Sequence, residues 1–347
     1  MQHLSTFTHR LAAVAASAAL VLSLGACGAS HGGDSADADK LRVGFVVDAG
    51  GINDRSFNSL GNEGMKRAQS ELGVETRVLT SKSNADYVPN LTSLARQGFD
   101  LVIASGFNQI QAVETVSDQF PDTKFAILDV SVSVFAKKHP NVLGMPFKQD
   151  QASYLAGYLA AQFVQGKGGP NAALGSVGGQ SIPPVESWMD GFKRGAAAVD
   201  PAIRVISGHS ETFSDPAPCR QLADNQIEQG ALVVFQAAGG CGVGALKAAI
   251  EKGAYAIGSD ADQSNFGDHV LTSAMKKSDI AVFEVIRGLR NGEFKGGTDR
   301  LFTIADGAVG LGTISPLVPK DVRDKVDAQE KKLRDGAIAK ESDGANG

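Results

Sequence analysis

Three carboxylates in this chain stand where an apolar run ends: Asp48 after "LRVGFVV", Asp129 after "FAIL" and Asp260 after "YAIGS". An ionised carboxylate only accepts hydrogen bonds, so three of them in one cleft ask for a guest rich in O–H and N–H donors, and they repel phosphate. Lys276, in "TSAMKKSD", is the clear cation to set against them. Phe57 follows Asp48 in "DAGGINDRSFN", and Phe235 closes "ALVVF" just ahead of "QAAGGCGVG", which contains Gly240. Two facing aromatics enclose a flat ring. Each stacked face contributes roughly 1–3 kcal/mol, so a sandwich with a few charge-assisted bonds reaches the roughly 8 kcal/mol of a micromolar complex. A ring slot beside diol-seeking acids points towards a nucleoside. A lone aromatic at a helix start also packs under its own loop, and for Phe57 the sequence leaves that alternative standing.

Positioning these groups requires strands that all end on one edge. From Leu41 onward, short apolar runs alternate with amphipathic stretches, the pattern of a parallel α/β fold. The chain also answers itself: "LRVGFVVDAGG" by "AALGSVGGQ", "QGFDLVIASGF" by "QGALVVFQAAGG", and "FAILDVS" by "YAIGSDAD". The duplication predicts two Rossmann-like lobes, each with a parallel sheet, joined by a multi-strand hinge and facing each other across a cleft at the carboxyl ends of their strands. Lobe 1 is expected to take residues 40–146 plus about 266–304, and lobe 2 residues 147–265 plus about 305–347. The hinge is expected between "NVLGMPF" and "DQASYLAGYLA", around Asp262 to Thr272, and near Asp306. A helix should begin just after Ser56, capped by Ser56 or Asp54, and stop at Gly73.

The 347 residues and 43% hydrophobic content suffice for two cores, and the net charge of −5 argues against a nucleic-acid partner. None of the six histidines sits at metal-ligand spacing, so no metal or cofactor is called for. "LAAVAASAALVLSLGAC" reads as a secretory signal over residues 1–26, followed by a polar tether over 27–39. In an exported protein, Cys219 and Cys241 both fall beside turns, and a disulfide between them is expected; two free thiols are the alternative.

Taken together, "VVDAGGINDRSFN", "ASGF", "FAILDV", "FSDP" and "VVFQAAGGCGVGAL" resemble the basic membrane protein family of bacterial lipoproteins, which are purine nucleoside receptors of ABC importers with a type I periplasmic-binding-protein fold. "LGAC" likewise resembles a lipobox ending at Cys27. The resemblance implies a lipid anchor on Cys27, residence on the outer face of the cytoplasmic membrane, and a permease and ATPase as partners. It places the base between Phe57 and Phe235 and gives polar contacts to Asp48, Asn58 and Asp129. It also assigns a backbone amide to Gly240, ribose hydroxyls to Asp260, and completion of the polar ring to Lys276. Cysteines at 219 and 241 depart from many relatives together, which strengthens the expectation of a bridge.

Other classes fit less well. "AAGGCGVGAL" spaces its glycines as G-x-G-x-G, unlike the dinucleotide fingerprint. A nucleoside hydrolase would group its acids, whereas these are spread one per strand end. A sugar receptor of the same fold remains open.

Overall fold

The computed structural model describes residues 40–165, 167 and 172–338. The signal segment, the tether and Cys27 lie outside the described residues. The first half supplies β1 (Arg42–Val47), β2 (Glu75–Thr80), β3 (Leu101–Ser105), β4 (Lys124–Leu128) and β5 (Val142–Met145), with α1 (Phe57–Leu72), α2 (Tyr87–Arg96) and α3 (Ile110–Gln119) between them. After α4 (Gln149–Val164) the second half repeats the plan with β6 (Ala173–Gly178), β7 (Arg204–His209), β8 (Ala231–Ala237), β9 (Tyr255–Asp260) and β10 (Val270–Lys276), connected by α5 (Pro183–Ala197), α6 (Pro216–Glu228) and α7 (Gly239–Glu251). The chain then adds α8 (Ser278–Arg290), β11 (Thr298–Asp299), β12 (Val309–Leu311) and α9 (Lys320–Arg334).

Two six-stranded sheets result, ordered β2-β1-β3-β4-β5-β11 and β7-β6-β8-β9-β10-β12. The identical order is the internal duplication made visible. Every strand pair is parallel except β10 with β12. Helices cover both faces of a parallel sheet, so its strands read as near-continuous apolar runs; Val43, Phe45, Val46 and Val47 of β1 are all fully buried.

The loop after β1 is built as its residue types suggest. Asp54 caps α1, its carboxylate accepting the amides of Ser56, Asn58 and Ser59 at 2.9, 2.8 and 3.0 Å. Gly73 ends the helix at a φ of 69°, the left-handed conformation that costs a glycine little. Ser56 makes no capping bond and is free for another task.

The chain passes between the sheets at Pro146 to Lys148, at Lys276 to Ser278, and between Phe302 and Ala308. The middle passage corrects the expected one. β10 stays in the second sheet, paired with β9, so the chain leaves that lobe after Lys276 and not near residue 266. A fifth parallel strand in each half displaces the boundary. Phe147 and Phe302 stack at 5.2 Å where two of the crossings meet, and the Lys277 amide donates to the Ala308 carbonyl at 2.8 Å. In the second lobe a disulfide joins Cys219 of α6 to Cys241 of α7, with Cα atoms 5.6 Å apart. No helix among the described residues is long and apolar enough to cross a membrane.

Candidate functional site

The carboxyl edges of the two sheets border a cavity that is partly open to solvent. Asp48, Phe57, Asn58 and Asp129 line it from the first lobe, Asp260 and Lys276 from the second.

On the first-lobe wall the polar groups form a short relay. Ser105 donates its hydroxyl to Asn58 Oδ1 at 2.6 Å, and Asn58 Nδ2 donates to Asp48 Oδ1 at 2.7 Å. The Gly50 amide donates to the same oxygen at 2.8 Å. Two donors thus fix the Asp48 carboxylate through one oxygen, while Oδ2 turns towards Gly106. Burial pushes the Asp48 carboxyl up to about 6; the bonds from Asn58 and Gly50 oppose that rise, and the Asp54 charge adds to it.

Where the lobes meet, an ion cluster straddles the cavity. Lys276 Nζ lies 2.6 Å from Asp129 Oδ2 and 3.6 Å from Asp260 Oδ1. Ser56 donates its hydroxyl across the gap to Asp260 Oδ2 at 2.6 Å. Burial alone would lower the Lys276 ammonium, but the carboxylates of Asp129 and Asp260 outweigh it and raise the group, so it stays charged. Asp129 takes the direct bond. At Asp260 burial therefore prevails over Lys276 and Ser56, raising its carboxyl, and Asp260 Oδ1 has no hydrogen-bond partner among the described residues. A buried acceptor without a donor is costly, and a ligand hydroxyl would satisfy it. The ammonium also stands 4.6 Å from the centre of the Phe57 ring and 5.6 Å from that of Trp188.

Phe235 does not reach this space. β8 continues for two residues beyond it, so the edge of that strand is Ala237, which lines the cavity, and Phe235 lies below the edge, fully buried. It stacks on Phe192 of α5 at 4.9 Å and 17°, with Trp188 at 6.1 Å. The second-lobe aromatic in the cavity wall is Phe213, from the loop after β7, accompanied by Trp188. A Cβ on Gly179 would overlap the Phe213 ring, so that glycine provides the ring's seat. Gly240 is likewise displaced by one position. Gly239 lines the cavity, at a φ of 54°, while Gly240 faces the Phe213 carbonyl. The signal for Phe213 was present in "FSDP": an aromatic just ahead of Asp215, whose carboxylate caps α6 by accepting the Ala217 amide at 2.9 Å. Trp188 sits inside a helical stretch and carried no such mark.

No group of three or more potential metal ligands occurs among the described residues. The arrangement offers acceptors, one ammonium and aromatic faces, which is equipment for holding a guest.

A family model described as "ABC transporter substrate-binding protein PnrA-like" matches residues 41–343. The chain belongs to this family. PnrA-like proteins are solute-binding receptors of ABC transporters, so this one is a receptor, not an enzyme, and its partner is a membrane transporter. The PnrA-like chain is 32% identical to a "CD4+ T-cell-stimulating antigen" of Listeria innocua, over 96% of this chain and 97% of that one. It is 31% identical to an uncharacterised lipoprotein of Pyrococcus furiosus, with 87% and 81% covered. With the ABC transporter nucleoside-binding protein BmpA of Lactococcus lactis it shares 28% identity, over 86% and 88%. Among solved structures, an ABC transporter solute-binding protein of Aeropyrum pernix K1 superposes with a TM-score of 0.77 at 25% identity, covering 86% of this chain and 92% of that one. That likeness places the PnrA-like chain in the type I periplasmic-binding-protein-like fold.

Proposed function

We propose that this receptor captures nucleosides, with purine nucleosides the expected class, and hands them to the permease and ATPase of an ABC importer. The observation that carries the reading is that Phe57 and Phe213, one from each lobe, line one cavity together with Asp129, Asp260 and Lys276. Phe213 takes the role first given to Phe235. Stacking on two rings accounts for the base, while Asp260 Oδ1, which accepts no hydrogen bond among the described residues, and the fixed Asp48 carboxylate account for hydroxyl and N–H donors. The nucleoside-binding relative supports the same class. Four carboxylates against one ammonium in the cavity wall disfavour phosphorylated guests.

In this reading the ligand bonds to both lobes and stabilises their closed arrangement, and that form engages the permease. The relative that is a lipoprotein supports an anchor on Cys27 at the outer face of the cytoplasmic membrane. Calorimetry with guanosine and with ribose tests the ligand class. Heat from guanosine alone is expected. Heat from ribose alone would replace the nucleoside with a sugar.

A further inference from the structure

Cys219 and Cys241 are fully buried between α6 and α7, away from the cavity surface, yet a hydrogen bond and two close chain adjacencies connect their bridge to the loop that carries the ring facing it. The Cys241 amide donates to the Phe213 carbonyl at 3.1 Å. Just before it, Gly239 lines the cavity, and a Cβ on Gly240 would lie 3.2 Å from that same carbonyl oxygen. Finally, α6 starts at Pro216, three residues past Phe213, and Cys219 sits in its first turn. On the upstream side the loop is fastened by Ser210, whose amide donates to the Gly178 carbonyl at 2.9 Å and whose hydroxyl donates to the Thr212 carbonyl at 3.0 Å. Phe213 therefore hangs between a sheet edge and a helix start. The bridge ties that helix start to the glycine turn supporting the Phe213 carbonyl.

We propose that the Cys219–Cys241 disulfide positions Phe213 for ligand, so that it sets affinity as well as stability. The inference rests on the reading of the cavity as a nucleoside site. A disulfide far from a site stabilises the fold and leaves the affinity of the folded form alone; this one closes a 22-residue separation whose two ends both abut the loop carrying the ring.

The test is a double-mutant cycle read by calorimetry with guanosine on the wild-type chain, Cys219→Ala with Cys241→Ala, Phe213→Ala, and the combination of all three. Removing the bridge is expected to weaken binding about tenfold when Phe213 is present, and less than twofold when it is alanine, although the melting temperature falls in both backgrounds. Binding by the bridge-free protein that stays within twofold of wild type overturns the proposal. Should the alanine pair not fold, Cys219→Val with Cys241→Ala fills more of the vacated volume and undergoes the same measurements. If the wild-type chain gives no heat with any nucleoside, the functional reading falls, and backbone hydrogen exchange decides the positioning role alone. Acceleration concentrated at residues 210–216 and 239–242 sustains it; uniform acceleration overturns it.

Discussion

Asp129 and Asp260 stand at corresponding places in the two halves, each at the carboxyl edge of the fourth strand, and both face the Lys276 ammonium. Their φ angles of 64° and 62° lie in the left-handed region, which aspartate tolerates better than most side chains. The duplicated loop geometry aims two carboxylates from opposite lobes at one point, and the cation at that point lies on the strand leading into a hinge crossing.

Replacing that cation exposes the arrangement. Lys276→Met leaves two buried carboxylates without compensation, and removing one partner of a buried ion pair costs about 3–5 kcal/mol. Urea denaturation should show a loss of that order, and adding Asp129→Asn with Asp260→Asn should recover most of it. A Lys276→Met protein as stable as wild type would mean that the ammonium does not neutralise the pair.

The Asp48 carboxyl, held at about 6 against an ordinary 3.8, makes binding pH-dependent. Ligand donors require the ionised form, so nucleoside affinity should drop roughly tenfold between pH 7 and pH 5. Stability moves oppositely. Between about pH 4 and 6 the folded chain retains a proton that the unfolded chain releases, so Asp48 favours the unliganded fold increasingly as pH falls through that window. Asp48→Asn should flatten both trends. An equally steep affinity profile in that variant would assign the titration to Asp54 or Asp260, whose carboxyls burial also raises.

The two candidate aromatics separate by opposite phenotypes. Phe213→Ala should weaken nucleoside binding by about 1–3 kcal/mol while leaving the fold nearly intact. Phe235→Ala should cost about 3–5 kcal/mol of stability through the cavity left beside Phe192, with affinity unchanged in the folded fraction. Calorimetry and chemical denaturation on both variants decide the matter, and a reversal of the two phenotypes would reinstate Phe235 in the site.

Gly179 offers a gentler probe of the same ring. Its backbone is compatible with alanine, but the added methyl would overlap Phe213. Gly179→Ala is expected to retain wild-type melting and to bind guanosine several-fold more weakly. Unchanged affinity would show that the ring finds an equally good place elsewhere.

The fold was legible because parallel strands buried on both faces write themselves as apolar runs, and because the runs occur twice in one order. The acid positions were legible for the same reason: Asp48, Asp129 and Asp260 mark the ends of strands, and strand ends fix location without knowledge of side-chain direction. Phe235 failed on a count of two residues. "ALVVFQA" is apolar beyond the phenylalanine, and only pairing with the neighbouring strands shows that the edge falls at Ala237. Phe213 belongs to a loop, whose path depends on contacts with Gly179, Gly239 and Gly240 that lie far from it in the chain. The middle hinge crossing was expected around Asp262 to Thr272, and only the pairing of β10 with β9 shows that the chain stays in the second sheet as far as Lys276.

The three crossings also govern how the protein is made. The first sheet receives its edge strand from Thr298–Asp299, where Asp299 accepts the Val132 amide at 2.8 Å, and α1 finds its companion α8 only at residues 278–290. A chain emerging from its amino end therefore cannot complete its first lobe until almost all of the second has appeared. Neither half is contiguous in the chain, and completion of the first lobe waits for residues 278–299.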